Sequence, residues 1–242
     1  MPKMHVSKSI TIDAPTHRVF SIINNFHHWS IWSPWLVAEP ESQLHVREDG
    51  KFYAWEGKRV GAGEMTIIDE NPETTVDYDL TFLKPWKSTA KVRFLIEPVS
   101  QKTKVTWLMD SRLPFFLFWM KKSMEAFVGM DFTRGLNMLK EYIETGKVSS
   151  ELNFIGQSLY PGSKYFGITT ESTISRVGAD MQEDFKKIGA FLQDKGIKPA
   201  HQLFSMYRKW DMVKDKVIYT AGVPVNEIPA DLPSSFISGE IP

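Results

Sequence analysis

The hydrophobic period of this chain switches from two to helical near residue 113, and that change limits its fold more than any other feature. From Gln43 to Asp110 apolar and polar residues alternate in short runs; from about Pro114 to Thr145 apolar residues recur at helical spacing. Turn signals divide the first stretch. Asp49-Gly50 separates SQLHVRE from KFYAWEG, and the next turn falls between Gly57 and Gly63. Asn71-Pro72, Lys84-Pro85 and Ser100-Gln101 mark the following three, so about six strands are expected. Connections this short cannot carry a parallel crossover, which takes about a dozen residues, so these strands are antiparallel neighbours.

Ahead of them, residues 4–13 alternate as a strand, and Asp13-Ala14-Pro15 opens a short helix with Val19, Phe20, Ile22 and Ile23 on its apolar face. HHWSIWSPW, from His27 to Trp35, is read as a Trp-rich loop. The helical stretch carries Phe116, Met120, Met124, Phe127, Met138 and Tyr142, and Gly146 follows as a left-handed stop. It predicts a helix of about 28 residues, about 42 Å long. The fold class is therefore α+β. An open antiparallel sheet has one face to bury, and one long amphipathic helix is the element able to cover it. A single helix cannot fill a wide curved sheet, so a gap is expected between them, and that gap is the natural ligand site.

After Lys147-Val148-Ser149-Ser150 a second unit begins. Lys164 to Ile174 reads as a strand. Residues 178–195 read as a helix with Met181, Phe185, Ile188 and Leu192 on one side, stopped by Gly196. HQLFSMYRKW and KVIYTAGVPV follow as strands, and SSFISGEIP looks like another strand just starting. The expected division is a domain at 1–147, a linker at 148–159 and a half-module at 160–242.

Composition narrows the chemistry. The chain has 29 basic and 29 acidic side chains and no cysteine. Neutrality argues against direct nucleic-acid binding. Without cysteine there are no disulfides, thiolate nucleophiles or cysteine-ligated metals. MPKMHVSKSITID has no apolar signal core, and the longest apolar run, Leu113 to Met120, is far short of the roughly twenty residues of a membrane span. A cytoplasmic protein without membrane insertion is expected. The six histidines form neither HExxH nor an i,i+4 pair, and Gly61-Ala62-Gly63 sits between strands, so neither a metal nor a phosphate-binding cofactor is expected.

The aromatics carry the functional reading: 16 Phe and 8 Trp, most of the Trp before residue 120. Strand alternation places Tyr53 with Trp55, Val92 with Phe94, and Val105 with Trp107 and Met109. Trp55, Phe94, Trp107, Met120, Met124 and Phe127 are the expected walls of a cavity for a small apolar or amphipathic molecule. Asp131 falls on the same helical stripe, four residues after Phe127 and seven after Met124. A carboxylate there either pairs with a Trp indole N–H or with Arg134, or serves as a polar anchor or general acid/base. No second titratable group faces it securely, so no catalytic residue is assigned beyond Asp131 as a candidate. Phe115-Phe116-Leu117-Phe118-Trp119 before Lys121-Lys122 reads as a buried helix start with two solvated lysines rather than an interfacial membrane helix.

Several of these stretches resemble a known family. SITIDAPTHRVF, NFHHWSIWSPW, YAWEGKRVGAGEMTI, TVDYDLTF with KSTAKVRFLIEP, KTKVTWLMD and MDFTRGLNMLK together resemble the polyketide cyclase / START-like (SRPBCC) superfamily over residues 4–145. The resemblance implies a helix-grip fold, of START/Bet v type, enclosing a deep hydrophobic cavity. Residues 160–242 resemble the first half of a GyrI-like effector-binding domain, the sensor of some AraC- and MerR-type regulators, which implies a bacterial source. Only one strand–helix–strand–strand repeat is present, so the unit is read as a truncated domain, or as a half that pairs between two copies. The leading expectation is ligand binding by a sensor-type protein. The alternatives are a cyclase- or hydratase-type enzyme using Asp131, and an interaction scaffold.

Overall fold

The computed structural model describes residues 2–113, 115–153 and 155–242. They divide into two compact units, residues 1–154 and 155–242.

In the first unit strand β1 (Lys3–Ile12) leads into helix α1 (Thr16–Ile23), with Pro15 just ahead of the first helical residue. Six further strands follow: β2 (Gln43–Val46), β3 (Phe52–Gly57), β4 (Gly61–Asn71), β5 (Thr75–Lys84), β6 (Ser88–Val99) and β7 (Lys102–Arg112). They form one antiparallel sheet in the order β1-β7-β6-β5-β4-β3-β2. β2 to β7 are a meander, and β1 closes on its last strand with Lys3 opposite Arg112 and Ile12 opposite Thr103. Alternation decides which face is buried. Val76, Tyr78 and Leu80 of β5, Val92, Phe94 and Ile96 of β6, and Val105, Trp107 and Met109 of β7 all lie in the core.

Helix α4 (Lys121–Thr145) lies along that face, burying Phe132, Leu136, Leu139 and Ile143. It stops where Gly146 turns left-handed at φ 81°, and the Gly146 N–H donates to the Tyr142 carbonyl. This is the helix-grip arrangement.

Two segments depart from the sequence reading. The Trp-rich stretch is not a loop but three helical turns: a 3-10 turn at Phe26–His28, α2 (Trp29–Trp32) and α3 (Pro34–Ala38). Trp29 and Trp32 are fully buried against Phe94 and Trp107, and a chain entering a core must pair its own backbone groups, which helical turns do. The Trp29 indole and the Tyr78 hydroxyl both donate to the Ile23 carbonyl at the end of α1. The second departure is the start of the long helix. Phe115–Met120 form a separate 3-10 turn, none of it buried, and α4 begins only at Lys121. Pro114, where the sequence places that start, lies outside the described residues. The expected burial of this aromatic run is therefore corrected.

The second unit contains β8 (Ser163–Ser172), α5 (Val177–Lys195), β9 (Phe204–Asp211), β10 (Lys216–Val225) and β11 (Ile237–Ile241). Its sheet runs β11-β8-β10-β9, antiparallel throughout. α5 packs Ile188, Phe185, Phe191 and Leu192 against Phe166, Ile168 and the apolar residues of β10. Its buried Asp184 accepts hydrogen bonds from the Thr170 and Tyr219 hydroxyls.

Candidate functional site

Between the sheet and α4 lies a cavity of about 340 Å³. That is at the lower end of the roughly 300–1,000 Å³ of small-molecule sites. β3, β4 and β5 supply Tyr53, Trp55, Met65, Leu80 and Phe82; β6 and β7 supply Val92, Trp107 and Met109. The helix side is Met124, Val128, Asp131 and Phe132, and α3 adds Trp35 and Leu36. Arg59, Lys84, Trp86 and Arg112, all exposed or partly so, also border it, from the β3–β4 turn, the β5–β6 turn and the end of β7.

The walls are held from behind by stacked rings. Trp107 lies flat on Phe132, centroids 4.1 Å apart and planes 10° from parallel, and Phe94 stacks on it at 4.9 Å. Trp35 meets Trp107 edge-on at 5.8 Å. On the opposite side Tyr53 stacks on Trp55 at 5.2 Å. The Trp55 ring covers Gly63 so closely that a Cβ there would stand 2.4 Å from it. Glycine at 63 is thus what lets the indole lie against β4.

A carboxylate fixes the turn beside Trp55. Glu39, 2% exposed, accepts hydrogen bonds from the backbone N–H groups of Lys58 (2.7 Å), Arg59 (2.9 Å) and Val60 (2.8 Å). These bonds hold its pKa below the ordinary carboxylate value, against the opposing effect of burial. The Val60 carbonyl in turn accepts the Trp55 indole N–H at 3.3 Å. Glu39 therefore positions Trp55 through two hydrogen bonds and one residue.

Asp131 is the acidic residue on the wall. Its Oδ2 accepts the Trp35 indole N–H at 3.2 Å. Burial raises its pKa; the Trp35 hydrogen bond and the charge of Arg134 offset part of that rise. Tyr53, also on the wall, has its hydroxyl pKa pushed well up by burial. The arrangement can enclose an apolar body, accept a hydrogen bond at Asp131 and meet anionic groups at the bordering cations. Among the described residues no three His, Asp or Glu side chains gather to hold a metal ion. His28 sits away from the cavity wall, its Nδ1 3.2 Å from the Tyr142 hydroxyl, with its pKa lowered by burial and by His27.

The sequence profile of the family described as polyketide cyclase / dehydrase and lipid transport matches residues 3–144. The chain belongs to that family. No curated protein matches the chain. Solved structures similar to it include the Aha1 dimer of Colwellia psychrerythraea, at 17% identity and a TM-score of 0.44, covering 60% of this chain and 98% of that one. A protein of Chromobacterium violaceum is similar at 12% identity and a TM-score of 0.44, covering 58% and 96%. CalU16 of Micromonospora echinospora is similar at 15% identity and 0.40, covering 60% and 87%.

In this member of the polyketide cyclase / dehydrase and lipid transport family, four of the residues singled out from sequence lie on the cavity wall: Trp55, Trp107, Met124 and Asp131. Phe94 is fully buried in the second row, behind Trp107. Met120 closes the 3-10 turn before α4, and the wall does not include it. Phe127 is 56% exposed. At about 100° per residue Met124, Val128 and Asp131 share one narrow face, and Phe127 stands roughly 40° beyond its Asp131 edge, on the solvent side. Sequence reasoning missed Trp35, which it left in a loop, and Phe82 and Met65 as wall residues. Period-two alternation along β5 puts Phe82 on the same face as Tyr78 and Leu80, and that signal is sufficient to find it.

Proposed function

We propose that the first unit binds a small apolar or amphipathic molecule between the sheet and α4. One observation carries this reading: an aromatic-walled cavity of about 340 Å³ with a single half-buried carboxylate on its wall. Membership of a family described by cyclisation, dehydration and lipid transport supports it.

Native mass spectrometry of protein purified from its host, with displacement of a hydrophobic fluorescent probe, tests the proposal. A co-purifying small molecule that competes with the probe is the expected result. A chain that carries none and leaves the probe in water overturns it.

A second reading is favoured by Asp131 itself. A carboxyl with a raised pKa inside an apolar cavity is suited to proton transfer in a cyclisation or dehydration. Once a substrate is in hand, Asp131→Asn separates the two: binding kept with turnover lost supports the enzyme, and full turnover removes it. For the second unit the reading stays that of a half effector-binding module, at 160–242, whose pairing between copies sedimentation would reveal.

A further inference from the structure

The 3-10 turn Phe115–Met120 is the largest departure from the sequence reading. Phe115, Phe116, Phe118 and Trp119 are each between 60% and 75% exposed. A chain that buries Trp29, Trp32 and Trp107 almost completely leaves these four rings in water, side by side along one turn. Exposed apolar clusters of this kind mark surfaces that meet something.

Charge identifies the occupant. Between Asp110 and Glu125 the sequence holds three cations, Arg112, Lys121 and Lys122, and no acid. The chain as a whole is neutral, so this excess is local. Cations flank the aromatic turn on both sides: Arg112 at the end of β7, and Lys121 with Lys122 in the first turn of α4. Lys121 has Glu125 at 3.7 Å, a loose pair, and Lys122 is exposed. Phe and Trp rings between Lys and Arg are the composition that settles at the headgroup level of a bilayer, where rings enter the interface and cations meet anionic lipid. An acidic protein surface would pair the cations but has no need for four unshielded rings.

We propose that the Phe115–Met120 turn, with Arg112, Lys121 and Lys122, is a peripheral docking surface for an anionic lipid bilayer. No helix among the described residues is long and apolar enough to cross a membrane, so the attachment is interfacial and reversible. The turn lies in the chain between two cavity-wall residues, Leu113 and Met124. Docking through it therefore brings the neighbourhood of the cavity to the lipid. Docking does not depend on the cavity binding a ligand.

Co-sedimentation of the full chain with vesicles tests the proposal, using phosphatidylcholine alone and phosphatidylcholine mixed with phosphatidylserine. Binding to the mixed vesicles that weakens with added salt is expected. Phe116→Ser/Phe118→Ser/Trp119→Ser should abolish it, and Lys121→Gln/Lys122→Gln should weaken it on the order of tenfold. Phe116, Phe118, Trp119 and Lys122 are exposed and Lys121 is partly so, and circular dichroism should show an unchanged fold in both variants. No binding to either vesicle overturns the proposal, as does binding that survives the triple substitution. A self-association removed by the triple variant, with no vesicle binding, overturns it in favour of a second copy as occupant. Vesicle binding by a chain that takes up no hydrophobic probe leaves this docking intact and removes only the cavity reading.

Discussion

Trp107 of β7 and Phe132 of α4 lie ring on ring, 4.1 Å between centroids and 10° from parallel, and this contact joins the sheet to the helix at the back of the cavity. Both are almost completely buried. Phe132→Ala removes one ring of the stack and leaves a void against Trp107, at a cost of about 3–5 kcal/mol. Denaturant unfolding of the first unit, followed by Trp fluorescence, should show that loss.

Gly135 lies one helical turn beyond Phe132, under the same indole. A Cβ there would stand 2.8 Å from Trp107 and 2.9 Å from Pro34. Alanine in place of a mid-helix glycine ordinarily stabilises by roughly 1 kcal/mol. At Gly135 the clash reverses the sign, because two packed rings must move. Gly189, in the middle of α5, has open space around it. The two substitutions should therefore diverge: Gly135→Ala lowers the melting temperature, and Gly189→Ala raises it by a few degrees in the second unit.

Those packing relations were partly legible in the sequence. Period-two alternation placed Tyr53 with Trp55 and Trp107 with Met109, because a strand allows each side chain only two faces. The helical stripe brought Met124 and Asp131 together for the same reason at a different period. The Trp35 partner of Asp131 was legible only as a type, an indole N–H, since nothing local says which Trp a helix will meet. Phe127 and the Phe115–Trp119 run show the limit. Hydrophobicity says that a residue gains by leaving water, but which apolar residues find a partner depends on how far the sheet curls over the helix. Glu39 gave no signal at all, because its three partners are backbone groups about twenty residues away.

Glu39 makes one pH prediction. Its folded pKa lies below the ordinary carboxylate value of 4.5, so the stability it gives is complete above that value and is lost as pH falls through the lowered one. Acidification should first loosen the turn at residues 58–60 and, through the Val60 carbonyl, free the Trp55 indole. Amide protection factors of Lys58, Arg59 and Val60 measured by NMR should drop together at acid pH. In Glu39→Gln the same amides should be poorly protected at neutral pH, with little further change on acidification.

Asp131 has the opposite sign. Burial raises its folded pKa, so its ionised form is disfavoured in the folded chain, and the protein gains stability as pH falls through that raised value. Asp131→Asn keeps an oxygen for the Trp35 N–H and removes the charge. The variant should melt roughly a degree or two higher than the parent at neutral pH, the small size reflecting a carboxylate that is still partly solvated. The difference should close on acidification, when the parent carboxyl is protonated too. A gap that widens at low pH would reverse the assignment of cause.

Val128 tests the cavity without touching a charge. It sits on α4 between Met124 and Asp131, partly buried, with its side chain on the wall. Val128→Phe adds a ring into existing space rather than into packed core, so the overpacking cost that a full core would impose is absent. The melting temperature should hold or rise slightly, while affinity for a hydrophobic probe falls by about tenfold or more as the ring occupies the ligand's volume. Phe127→Ala, one residue earlier but on the exposed side of the helix, should leave probe affinity unchanged. Equal losses in the two variants, measured by fluorescence titration, would mean that the probe binds on the outer surface of α4 and not between helix and sheet.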